Sequence, residues 1–189
     1  MVLAAGRGAR VGGPKALLTL DGETFLARVT RLLARPGVAG VLAVVGHEAD
    51  RVASQAGISG RVDLVRNPRP AEGMLSSLRC GLDAAEARGA DAVLVHPVDH
   101  PLVDGATVDR VLEALAAGAT IAVPSHGGRR GHPGGFARGA WPALRAADEG
   151  RGARGVLADH PEWIVHVTGD AGCVQGVNEP EDYRRLRDG

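Results

Sequence analysis

Lys15 is the single lysine among 22 Lys and Arg residues, and it closes a loop, Gly6 to Lys15, that also carries Gly8, Arg10, Gly12 and Gly13. A compact ammonium and a planar guanidinium fork are not interchangeable at a phosphate site. A chain that uses arginine everywhere else and lysine once therefore marks one position for a special anion. Glycines let the backbone approach a ligand closely and turn its N–H groups onto anionic oxygens. With Arg10 and Lys15 supplying charge, the guest predicted for this loop is a polyphosphate. The spacing matches neither the dinucleotide fingerprint GxGxxG nor the phosphate loop, because Pro14 precedes Lys15 and Ala16 follows it.

A second cluster lies in "LVHPVDHPLV", Leu94 to Val103. Asp99 follows an apolar run and sits just ahead of Pro101, at what reads as the carboxyl end of a buried strand. A hard cation such as Mg²⁺ takes few protein oxygens and shares its other positions with phosphates and water, so one carboxylate at a strand end suits it. His96 and His100 have the i,i+4 spacing of a zinc pair. Pro97 and the strand context, however, remove them from a shared helical face. Cys80 and Cys173 form no CxxC pair and read as ordinary thiols of a reducing compartment.

These residues need a scaffold, and the hydrophobic pattern supplies one. "VLAVV" (Val41–Val45), "VDLV" (Val62–Val65), "AVLV" (Ala92–Val95) and "TIAV" (Thr120–Val123) are continuous apolar runs, as in strands of a sheet covered on both faces. Met1-Val2-Leu3 leaves room for a short first strand, either truncated or starting upstream. Between the runs lie "TFLARVTRLLAR", "EADRVASQA", "MLSSLRCGLDAAEAR" and "GATVDRVLEALAAG", with apolar residues three and four apart. The helix from Met74 is expected to stop near Gly89. Alternating strands and helices predict an α/β fold: one domain, a three-layer sandwich around a mostly parallel, Rossmann-like sheet. Residues 1–123 are read as its polyphosphate-binding half; 124–189, richer in Gly and Pro and less regular, are read as a substrate-facing part of the same domain that ends in a helix.

Composition narrows the partners. Formal net charge is zero, hydrophobic residues make up 44% and charged residues 23%, as in ordinary globular domains. The absence of a basic excess argues against nucleic acid or an anionic membrane surface. Aromatics at 3% are too sparse for base-stacking platforms. No apolar stretch is long enough to cross a membrane and no signal peptide precedes the first motif, so the expected location is the cytoplasm.

The opening pattern, Leu3-Ala4-Ala5-Gly6-x-Gly8-x-Arg10-x-Gly12-x-Pro14-Lys15, resembles the signature of the molybdenum cofactor cytidylyltransferase and guanylyltransferase group of MobA-like nucleotidyltransferases, and more distantly that of sugar-phosphate nucleotidyltransferases. The resemblance implies the fold of nucleotide-diphospho-sugar transferases, with Leu3, Ala4, Ala5, Gly6 and Gly8 around a nucleoside triphosphate. Arg10 and Lys15 would neutralise charge while the α-phosphate is attacked. Asn67 to Leu82 resembles the group's second block, which implies that Gly73, Ser76 and Ser77 touch the nucleoside. Read from the residues alone, those serines also suit a capped helix with solvent-facing hydroxyls, the lesser of the two readings.

By the same likeness Asp99 is a Mg²⁺ ligand, and "GGRRGHPGGF" and "DEGRGARGVL" line the second-substrate pocket with His132 and Arg154. His132 also fits a structural turn, and Arg129 and Arg130 fit solvated positions. In "VQGVNEPEDYRRL" the group usually has DxDTPEDY. Here Asn178 stands at the second metal ligand and Gly176 replaces the first Asp, leaving the site one negative charge short. His100 fills a slot often held by Gln.

The implied activity is Mg²⁺-dependent transfer of a nucleoside monophosphate from CTP or GTP to a phosphorylated small molecule such as molybdopterin, with pyrophosphate released. A molybdoenzyme or its chaperone would be the protein partner. Ala5, giving LAAG where LAGG also occurs, tilts the base toward cytosine. Two alternatives stay open on sequence: an NAD(P)H-dependent oxidoreductase similar to those of nicotine breakdown, and a non-catalytic nucleotide-binding module.

Overall fold

Consecutive residues of a strand face opposite sides of a sheet, so unbroken apolar runs need cover above and below. The computed structural model, which describes residues 1–58 and 62–188, supplies it. Its elements run β1 (Val2–Ala4), β2 (Thr19–Leu20), β3 (Glu23–Thr24), α1 (Phe25–Leu33), β4 (Val41–Val45), α2 (Ala49–Gln55), β5 (Val62–Arg66), α3 (Met74–Ala87), β6 (Ala92–Pro97) and α4 (Gly105–Ala116). They continue with β7 (Ile121–His126), β8 (Arg129–Arg130), β9 (Gly134–Ala137), α5 (Trp141–Ala146), α6 (Gly152–Asp159), β10 (Ile164–Thr168) and α7 (Pro180–Asp188).

The main sheet has the order β10-β7-β9-β6-β1-β4-β5, with β8 paired to β7. β1, β4, β5 and β6 run parallel, as do β7 and β10, while β9 is antiparallel between β6 and β7. Val2, Ala4, Val41, Ala43 and Val45 face one core with Phe25, Leu26, Val29, Val52, Val108 and Val111, from α1, α2 and α4. Leu3, Leu42 and Val44 face the other with Leu75, Leu78, Leu82, Trp141, Leu144 and Val156, from α3, α5 and α6. The result is the three-layer α/β sandwich expected from the pattern.

Local chemistry sets the element ends. Thr24 Oγ1 accepts the Ala27 N–H at 3.1 Å and so caps α1, and Asp104 caps α4 through Ala106 N–H at 3.0 Å. α3 stops at Gly89, whose φ of +69° is left-handed, and Ala90 N–H reaches back to the Ala85 carbonyl.

Two expectations are corrected. Val62–Val65 reads as a buried strand, yet β5 is the sheet's edge, paired with β4 alone among the described residues, and Leu64 is 42% exposed. Asp63 and Arg66 on that edge pair with Arg88 and Asp50 and so blunt it. The last third is more regular than its Gly and Pro content predicts. It contributes β9, β10, α5 and α6, and its "GGFA" strand fits because β6 and β7 flank it on both sides.

Trp141, 1% exposed, fills the second core and donates its Nε1–H to the Phe136 carbonyl at 3.2 Å. Trp141→Ala should lower unfolding free energy by about 3–5 kcal/mol, read by circular dichroism in a urea titration.

Candidate active site

Parallel sheets bind ligands where successive connections leave a strand pair in opposite directions. Here that point is the boundary between β1 and β6, since the chain moves from β1 to β4 on one side and returns to β6 on the other. A cleft of about 240 Å³ opens at their carboxyl ends. Leu3, Ala4, Ala5, Gly6, Gly8 and Lys15 form one wall, Pro70, Gly73, Met74 and Ser77 the second, and Pro97, Val98 and Asp99 the third.

The glycine loop is held by its own backbone. The Gly8 carbonyl accepts N–H bonds from Val11 at 3.0 Å and Gly13 at 3.1 Å. Gly8 has φ +61°, and a Cβ there would fall 1.9 Å from the Gly13 oxygen, so no other residue fits. Beyond this curl, Lys15 reaches across the crevice. Its Nζ donates to Asp99 Oδ2 at 2.8 Å and to Asn178 Oδ1 at 2.9 Å. The Lys15 and Asp99 side chains are only 17% and 18% exposed.

Asp99 is spoken for at both oxygens, since Oδ1 lies 3.0 Å from His100 Nδ1. Burial alone would raise its carboxyl, but hydrogen bonds from His100 and Lys15 and the Lys15 charge outweigh that and hold it well below the usual carboxylate range. Val177 N–H donates to the Asp99 carbonyl at 2.8 Å and brings the segment before α7 alongside. Asp182 then accepts the Asn178 and Glu179 N–H groups at 3.0 and 2.9 Å, and Tyr183 O–H donates to the Thr19 carbonyl at 2.8 Å. Docking of α7 thus brings the exposed Asn178 onto the Lys15 ammonium beside the cleft.

Other candidates land elsewhere. Arg10 leaves the cleft wall: its side chain is 69% exposed and pairs with Glu179. Ser76 is consumed structurally, donating to the Arg69 and Gly73 carbonyls at 3.0 and 2.9 Å while accepting from Asn67 Nδ2 at 2.8 Å. Ser77, which also accepts from Asn67 at 3.0 Å, lines the cleft. Neither hydroxyl faces solvent, because both serines are buried; the solvent-facing reading is corrected.

His132 packs against His100, with ring centroids 4.6 Å apart, and its backbone N–H donates to the Cys173 carbonyl at 2.8 Å. Arg154 is exposed on α6, near enough for its charge to act on His132. His96 is fully buried with Nε2 3.0 Å from the His100 carbonyl and Nδ1 without a partner among the described residues. Burial pushes the His96 imidazole down to about 3 and that of His132 to about 4. Among the described residues, no group of three or more His, Cys, Asp or Glu side chains is disposed to hold a metal ion.

His100, whose role sequence left open, proves to be the partner of Asp99. Gly176 makes room for it: a Cβ there would lie 3.0 Å from His100 Cε1 and 3.1 Å from Asn178 Nδ2. Glu179, Tyr183 and Asn67 escaped sequence reasoning. The only signal for Asn67 was its place ahead of "PRP", where its Oδ1 accepts the Arg69 N–H at 2.8 Å.

With this geometry in hand, comparison with known proteins is informative. The family model described as the MobA-like NTP transferase domain matches residues 1–164. A molybdenum cofactor guanylyltransferase of Rhizobium meliloti is 32% identical over 98% of this chain and 88% of its own length. The bifunctional enzyme IspD/IspF of Rhodospirillum rubrum is 37% identical over 83% of this chain, which spans only 37% of that protein. Among solved structures, Rv0371c of Mycobacterium tuberculosis H37Rv superposes with a TM-score of 0.85 at 27% identity over 100% of this chain and 96% of its own. Its complex with manganese aligns with a TM-score of 0.75 over the same shares.

The buried histidines set an acid limit. In the unfolded chain they take protons near pH 6.5, whereas in the fold they stay neutral down to about 4 and about 3. Stability should be full above pH 6.5 and decline as the pH falls from there toward 4. Denaturation at a series of pH values checks this, with His132→Gln flattening the decline.

Proposed function

The chain belongs to the MobA-like NTP transferase family, and from that footing we propose that it transfers a nucleoside monophosphate from CTP or GTP to a phosphorylated small molecule of the molybdopterin type, releasing pyrophosphate. The observation that carries this reading is the meeting of Lys15, Asp99 and Asn178, remote in sequence, in the crevice at the ends of β1 and β6.

The reaction needs no covalent enzyme nucleophile. A phosphate oxygen of the acceptor, already ionised at neutral pH, attacks the α-phosphate; the bond to the β-phosphate oxygen breaks and leaves as pyrophosphate. Such a step depends on positioning and on stabilising charge as it moves. The glycine loop lays its N–H groups along the phosphates, Lys15 offers three donors on a flexible stem, and Ser77 and the start of α3 face the nucleoside. His132, packed against His100, and Arg154, exposed on α6, are the residues we propose for the acceptor.

Magnesium fits the donor set. Asp99 Oδ2 and Asn178 Oδ1 already converge on one cationic atom, and both are hard oxygens. Bound there with phosphate oxygens and water completing its shell, the ion would withdraw charge from the α-phosphate and leaving group. The manganese complex of the similar Rv0371c protein is in keeping with a divalent ion in this fold.

Between the two bases we favour cytosine. Ala5, which gives LAAG where LAGG also occurs, lines the cleft, and the cleft's volume of about 240 Å³ is below the ~300–1,000 Å³ typical of sites that enclose a whole small ligand. The guanylyltransferase relative makes GTP the competitor to beat.

Pyrophosphate release measured with CTP, GTP, ATP and UTP, with and without Mg²⁺ and with phosphorylated pterin acceptors, tests the proposal. Lys15→Ala and Asp99→Ala should each lower turnover by on the order of 100-fold or more; full activity in both would remove the mechanism. Ala5→Gly should shift the kcat/KM ratio toward GTP by roughly 10-fold, and an unchanged ratio would reject Ala5 as the discriminator.

A further inference from the structure

We propose that Lys15 holds, in the ligand-free protein, the cation position between Asp99 and Asn178, so that a divalent metal and the polyphosphate enter as a coupled pair. This rests on the reading that Asp99 and Asn178 hold the metal, and adds how access to them is controlled.

The geometry makes occupancy exclusive. Lys15 Nζ lies 2.8 Å from Asp99 Oδ2 and 2.9 Å from Asn178 Oδ1. A Mg²⁺ ion sits about 2.1 Å from its oxygen ligands, so an ion shared by those two atoms would overlap the ammonium. Asp99 offers no free oxygen instead, because Oδ1 is engaged by His100. Charge points the same way. The ammonium balances the one carboxylate in contact with it, so a dication arriving alone meets a neutralised site and a like charge.

A polyphosphate changes both terms. It gives the ammonium a new partner on the same wall of the cleft and brings negative charge that the dication can share. Lys15 is suited to the exchange by its flexible four-carbon stem and its place at the end of the glycine loop. Glu179, next to Asn178, likewise holds Arg10, so both loop cations are tied to one segment until phosphate draws them off. Coupling of this kind is reciprocal: the metal raises polyphosphate affinity by the factor that polyphosphate raises metal affinity.

The test reads metal binding directly, by the electron paramagnetic resonance signal of free Mn²⁺ titrated into the full chain without nucleotide. Lys15→Met should bind Mn²⁺ about tenfold more tightly than the unmodified protein, and adding Asp99→Asn should remove the gain. If Lys15→Met does not fold, Lys15→Gln, which keeps a donor without the charge, takes its place. No gain on removing the ammonium overturns the coupling; if Asp99→Asn still abolishes Mg²⁺-dependent pyrophosphate release, the metal reading survives that failure. A gain that persists after Asp99→Asn places the ion elsewhere and overturns both.

Discussion

One ammonium group bridging a carboxylate and an amide oxygen is the constraint on which the cleft depends. Asp99 is mostly removed from water, and a carboxylate in that position is tolerated only with opposite charge and hydrogen bonds at both oxygens. Lys15 supplies the first and His100 the second. Because Lys15 is 84 residues from Asp99 and 163 from Asn178 in the chain, satisfying that one carboxylate requires three distant segments to be in place together. The Gly8 curl, the Val177 bond to the Asp99 backbone and the docking of Tyr183 all serve this arrangement.

The sheet explains why those segments can meet. β1 is only three residues long, yet it lies between β4 and β6 with every residue buried. The loop leaving it and the loop leaving β6 therefore start side by side and diverge over opposite helical layers. Their separation is the crevice. α3 closes it from one side, and its first turn is positioned by buried Asn67, whose amide bonds both serines. That wall is thus anchored in the second core through Leu75 and Leu78, while Ala16, next to Lys15, packs in the first.

Gly176 and Asn178, which differ from the DxDTPEDY pattern of the group this sequence resembles, fit one another and His100. Gly176 leaves space that the His100 ring occupies, and His100 takes the Asp99 oxygen that Lys15 leaves free. With Asn at 178 the ammonium contacts one carboxylate and one neutral amide oxygen. An Asp there would set a second carboxylate against the same ammonium. Two substitutions and one histidine that look unrelated in the sequence are a single local adjustment of volume and charge.

Much was legible before any coordinates. Period-two alternation inside continuous apolar runs cannot be buried except by helices on both faces, so the sandwich followed from Val41–Val45 and Ala92–Val95. The use of lysine once marked Lys15, and a carboxylate after a buried run marked Asp99. What sequence could not supply was direction. Arg10 and Lys15 lie in one loop and carry the same charge, but the curl at Gly8 sends one to Glu179 at the surface and the other into the cleft. Ser76 and Ser77 are neighbours on one helix and share the Asn67 amide, but about 100° of rotation per residue turns one onto the Arg69 and Gly73 carbonyls and sets the other in the cleft wall. Composition and periodicity determine which groups exist and how the chain layers itself. Which of them face one another is decided by packing between segments far apart in the chain, where a contact depends on the angle at which each element arrives.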